Sequence, residues 1–117
     1  MRRRLVPLVA VAAGLASGPA LAADGGKLFA LQCKSCHGAA STLMGPALNG
    51  VTGAKIAVRG DYKFSEALKA KGGTWTAKSL DAYLANPQGF APGGRMKTGV
   101  ADPAARQAIV AYLETLK

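Results

Sequence analysis

The sequence predicts an all-α fold of several short helices joined by glycine-rich loops. Three observations carry that expectation. Apolar residues recur at helical spacing around Leu80, Tyr83 and Leu84, and again at Ile109, Tyr112, Leu113 and Leu116. The helical stretches are bounded by cap residues and by Gly or Pro. No stretch shows the strict apolar and polar alternation of a half-buried strand, and there is no internal repeat. At 117 residues the chain has room for one domain.

Met1-Arg2-Arg3-Arg4 leads into an apolar run from Leu5 to Ala16 and then Ala20-Leu21-Ala22. A basic start, a short apolar core and an A-x-A site form the pattern of a secretory signal peptide, with cleavage expected after Ala22. The apolar run is short of the about 20 residues that a membrane-spanning helix needs. Cleavage is therefore favoured over an uncleaved anchor. Residues 1–22 are read as signal peptide and 23–117 as the domain. Loss of Arg2, Arg3 and Arg4 would take the net charge from +9 to +6.

Within the domain, Asp24 can cap a helix running through Leu28 and Phe29 to Cys33. The segment from Gly38 to Gly60, rich in glycine, reads as loop. Ser65 is placed to cap a short helix over Glu66 to Lys71, ended by Gly72-Gly73. Thr76 can cap the next helix, and Pro87 marks its end. A second loop is expected from Gln88 to Ala101. Asp102-Pro103 then gives a cap followed by proline at the first helical position, and the last helix runs to about Leu116.

Cys33-Lys34-Ser35-Cys36-His37 is the attachment signature of a c-type haem. Two thiols on one helical turn can each add to a vinyl group on one porphyrin edge, and the next residue offers an imidazole to the iron. His37 is the one histidine of the chain. A C-x-x-C pair also occurs in thioredoxin-like redox sites, zinc sites and disulfides. No strand precedes Cys33, no second ligand cluster completes a tetrahedral zinc site, and a disulfide would leave His37 without a role. Haem attachment is favoured over all three. A covalent haem would also staple a domain whose core is otherwise small.

An iron held by one histidine needs a second ligand or an open position. Met1 is lost with the signal peptide, and Met44 lies only seven residues from His37. Met96 sits after two helices, in the flexible stretch Pro92-Gly93-Gly94-Arg95-Met96. It is assigned as the distal ligand. A thioether opposite an imidazole favours ferrous iron and raises the reduction potential. With both axial positions filled, the centre suits one-electron transfer rather than catalysis, so no enzymatic activity is expected. Lys and Arg are spread along the chain, without the basic run and interleaved aromatics of a nucleic-acid surface. Lys34, Arg95 and Lys97 would lie near the haem edge and could steer acidic partners.

With these residues in place, the sequence from Gly25 to Leu116 resembles the class I c-type cytochromes, of the mitochondrial and bacterial c2 type. The matching motifs are Gly25 and Phe29 before C-x-x-C-H, Gly45-Pro46-x-Leu48, Gly50-Val51-x-Gly53 and Trp75. They continue with Leu80-x-x-Tyr83-Leu84-x-x-Pro87, Pro92-Gly93-x-x-Met96 and Ala111-Tyr112-Leu113. The resemblance implies the small cytochrome c fold, wrapped around one covalent haem c. It implies that Gly25 and Phe29 cross the last helix near Ile109 and Tyr112, and that the Pro46 carbonyl accepts a hydrogen bond from His37 Nδ1. It places the Trp75 indole N–H at a haem propionate and the Tyr83 hydroxyl near the Met96 sulfur. The chain departs from the family at Ala54 and Lys55, where relatives often carry an arginine near a propionate. Phe64 replaces a tyrosine common there, with Tyr62 two residues earlier.

The expected function is that of a soluble, monomeric, periplasmic electron carrier, with no membrane span after cleavage. It would shuttle one electron between membrane complexes or dehydrogenases that dock at the haem edge. A haem subunit dedicated to one oxidoreductase is the alternative, and stable co-purification with that enzyme would mark it. A haem peroxidase is a further one. It needs an open distal site and an acid-base group beside it, and the chain has no second histidine for that role.

Overall fold

Five helices, described in a computed structural model over Pro7 and residues 18–117, follow one another without a strand among the described residues. The basic start and the apolar core of the expected signal peptide lie outside the described residues.

Helix α1 spans Gly18–Gln32, so it begins upstream of Asp24, which lies inside it rather than at its cap. The cause is local. Ala20, Leu21, Ala22 and Ala23 are strong helix formers and carry the helix through the expected cleavage junction. The far end of the chain supplies its partner, α5 (Pro103–Thr115), which starts at the predicted cap. Asp102 Oδ1 accepts the Ala104 N–H at 3.2 Å. The two helices cross at Gly25. A Cβ built there would lie 1.8 Å from the Ala108 carbonyl oxygen and 2.9 Å from Tyr112 Cβ, so a hydrogen is the largest group that fits. Phe29 and Tyr112 fill the crossing with ring centroids 5.2 Å apart, a favourable aromatic separation.

Helix α2 (Glu66–Lys71) is capped by Ser65, whose Oγ accepts the Leu68 N–H at 3.1 Å. Gly72, at φ 62°, ends it in a conformation that other residues rarely adopt. Helix α3 (Ala77–Ala85) opens on a capping box. Thr76 Oγ1 accepts the Ser79 N–H, and Ser79 Oγ accepts the Thr76 N–H in return.

Helix α4 (Pro87–Phe90) corrects the expectation that a loop begins once Pro87 has ended α3. Proline does stop α3. It is equally suited to open a helix, because its missing N–H would be unpaired there anyway. Asn86 serves both ends, closing α3 and capping α4 through Oδ1, which accepts the Gly89 N–H at 2.9 Å.

An isolated bridge between Lys55 and Thr74 ties the loop after α1 to the link between α2 and α3. The Trp75 N–H donates to Ala54 O at 2.8 Å and the Gly53 N–H to Trp75 O at 2.7 Å. These bonds seat the indole in the core with Phe29, Leu68, Leu80, Ile109 and Leu113.

Candidate functional site

The backbone winds on past the end of α1. Cys33 N–H donates to Phe29 O at 2.8 Å, and the N–H groups of Cys36 and His37 both donate to Cys33 O, at 3.1 and 2.9 Å. This tight turn brings Cys33, Cys36 and His37 together on the wall of a cavity of about 750 Å³. Both thiols are free and half-buried. Burial, and then the neighbouring Cys36, pushes the Cys33 thiol up from its ordinary pKa.

His37 Nδ1 lies 2.8 Å from the Pro46 carbonyl oxygen. A carbonyl can only accept, so Nδ1 is the donor, and in the neutral ring Nε2 is the nitrogen with the lone pair. Gly45 makes room for this pairing. A Cβ there would come within 2.8 Å of Cys36 O and 3.2 Å of His37 Cε1.

Pro46, Trp75, Tyr83 and Met96 line the same cavity, so all seven residues singled out from the sequence meet there. Met44 lines it too, but Met44 is 68% exposed whereas Met96 packs against the core. The Trp75 indole is buried. Among the described residues, Thr52 Oγ1 is the one side-chain N or O atom fully enclosed without a partner. The unpaired indole N–H of Trp75 therefore keeps access to the cavity. The Tyr83 hydroxyl has no protein partner among the described residues either, and burial, with a smaller contribution from Tyr62, pushes its pKa up.

The polar part of the lining has one sign. Lys55, Arg59, Arg95 and Lys97 lie on it, and no carboxylate does. Lys34 does not; it is exposed beside Cys33. Arg59 was not singled out from the sequence. Its Nε donates to Asp61 Oδ1 at 2.7 Å and its Nη1 to Asn49 O at 3.1 Å, while Ser41 Oγ donates to Asp61 at 2.8 Å. The hydrogen bonds from Arg59 and then Ser41 hold the Asp61 carboxyl below its usual range. Only the Asp61 spacing hints at this cluster in the sequence; Ser41 and Asn49 join it through the loop fold.

Among the described residues, no group of three His, Cys, Asp or Glu side chains is placed to hold a metal ion by itself. The lining fits a flat macrocycle well. It offers mostly apolar walls, two thiols on one turn, an imidazole, a half-buried thioether and a cationic rim for carboxylates.

Comparison with known proteins agrees. A family profile described as cytochrome c matches residues 22–117. Cytochrome c2 iso-1 of Magnetospirillum molischianum is 41% identical over 91 residues, covering 74% of this chain and 91% of that one. A cytochrome c-type protein, cyt cy, of Rhodobacter capsulatus is 39% identical over 94 residues, or 79% of this chain; the match spans about half of that relative, 47%. Among solved structures, cytochrome cH from Methylobacterium extorquens superposes with a TM-score of 0.75 at 44% identity, covering 80% of this chain and 97% of that one.

Proposed function

The chain belongs to the cytochrome c family and carries one covalent haem c, and we propose that it is a periplasmic electron carrier alternating between two redox partners. The observation that carries this reading is the meeting of His37 and Met96 on one cavity that holds no other imidazole or second half-buried thioether among the described residues.

In this reading Cys33 and Cys36 hold the haem through thioether bonds. His37 Nε2 and the Met96 sulfur would hold its iron. When bound, the haem supplies a one-electron Fe(III)/Fe(II) couple. The chain's own residues do the rest. The Pro46 carbonyl fixes the tautomer and plane of His37 and makes the ring a stronger donor. Trp75 offers its N–H to a carboxylate in the cavity. The apolar wall of Leu68, Leu80 and Ile109 would keep water from the part of the macrocycle packed against it. With His37 and Met96 both committed to the iron, no position would be left open for a substrate.

Arg95 and Lys97 at the rim, with Lys34 nearby, give acidic partners a place to dock. Such encounters are fast and weaken with salt. The signal-peptide pattern over residues 1–22 is what points to export into the periplasm, and no helix among the described residues is long and apolar enough to cross a membrane. N-terminal sequencing of the exported protein should begin at Ala23.

The decisive experiment is an absorption spectrum of protein matured in a host competent for cytochrome assembly. Reduced protein should show haem c, and oxidised protein the far-red sulfur-to-iron band. A colourless product would overturn the reading. Avid carbon monoxide binding by the native reduced protein would overturn the carrier role.

A further inference from the structure

We propose that Gln88 is a positioning residue for the Met96 sulfur. The inference rests on Met96 being the distal ligand and goes beyond it, to what holds that ligand in place.

Met96 hangs from the segment 91–102, between α4 and α5. This segment has little stiffness of its own, with Gly93 at φ 85°, Gly94 and Gly99. Gln88 pins it. Its Nε2 donates to Gly94 O and to Met96 O, both at 2.9 Å, and its Oε1 accepts the Gly93 N–H at 3.2 Å. One side chain thus engages three of the four residues from Gly93 to Met96, including the carbonyl of the sulfur-bearing residue. The amide cannot be turned over. Two of its partners are carbonyls, which only accept, and the third is an N–H, which only donates.

Gln88 is itself held. It sits on α4, whose start is set by the Asn86 cap and Pro87. Phe90, on the same short helix, stacks on Trp75 with centroids 5.7 Å apart and ring planes within 20°. The clamp therefore runs from the core, through α4 and the Gln88 amide, to the backbone of Met96. The amide touches neither sulfur nor cofactor. It sets how readily the segment lifts away and lets another ligand in.

The test is imidazole binding to the oxidised holoprotein, read by loss of the far-red sulfur-to-iron band. Gln88→Glu keeps the shape and the acceptor for Gly93 but replaces the donor with a carboxylate facing two carbonyls. Loss of two ordinary hydrogen bonds should lower the imidazole dissociation constant about ten- to thirtyfold. Gln107→Glu, the same charge change on the exposed face of α5, should leave it unchanged. A residue serving only general stability would lower the denaturation midpoint without moving imidazole affinity. Equal affinity in Gln88→Glu and wild type would overturn the proposal.

Met96→Leu separates the two claims. If it keeps the far-red band, the ligand reading fails, whatever Gln88 does. In wild-type protein, the Gln88 side-chain amide protons should exchange more slowly than those of Gln107. Equally fast exchange would overturn the clamp even if no variant folded.

Discussion

Gly25 fixes the distance between the first and last helices, because the Ala108 carbonyl stands where a methyl group would go. Gly25→Ala must push the helices apart or bend one of them. Overpacking of this kind costs about 1–3 kcal/mol, so the denaturation midpoint should fall while the spectrum of protein that still folds keeps its sulfur band. Asp61 acts at the same scale through pH. Its carboxyl is held below the usual range by Arg59 and Ser41, so its contribution is present above the unfolded carboxyl pKa of about 3.9. It is lost as pH falls through the lower, folded value. Asp61→Asn should therefore flatten the acid side of the melting-temperature profile. The exposed pair makes this a small effect, and an unchanged acid limb would show that the link contributes nothing in solution.

Arg106 joins three elements. Its Nε donates to Asp81 on α3 at 2.9 Å, and its Nη1 donates to Val100 O and Ala101 O at 2.9 and 3.0 Å. It sits on α5 and holds the far end of the segment that Gln88 clamps at the near end. Arg106→Leu leaves two backbone carbonyls short of a donor, and a loss of about 1–3 kcal/mol follows. Asp81→Leu should cost less, since the Asp81 side chain is 50% exposed and its pairing is screened. Denaturant titration of both variants checks the order. The helices and their caps at Ser65, Thr76 and Asp102 were legible in the sequence because a cap is a local device, with donor and acceptor two or three residues apart. Helix α4 was not, because Pro87 was read only as a stop. The clamps of Arg106, Gln88 and Arg59 were not legible either. Each has backbone carbonyls among its partners, and no residue letter marks where a carbonyl will be. The cavity residues were found because C-x-x-C-H and the glycine-bounded Met96 carry their chemistry in their side chains.

For the molecule as a whole, the cavity of about 750 Å³ decides what the fold requires. Its lining is mostly apolar, and leaving that surface open to water forfeits burial that would otherwise stabilise the fold. A domain of this length has only about 5–15 kcal/mol of net stability. The helices are therefore expected to need the haem to hold their packing. Cys33→Ala combined with Cys36→Ala should give a chain with little helical circular dichroism unless haem is supplied, and a fully helical apoprotein would refute this. The crossing at Gly25 has a temporal corollary. It joins stretches more than 80 residues apart in the chain. Whatever delivers the polypeptide, head first through a ribosome tunnel or a translocation channel, releases Cys33 and Cys36 long before Tyr112 arrives to complete the crossing. In that interval both sulfurs belong to an unclosed chain, so the order of release leaves a window for attachment before the termini meet.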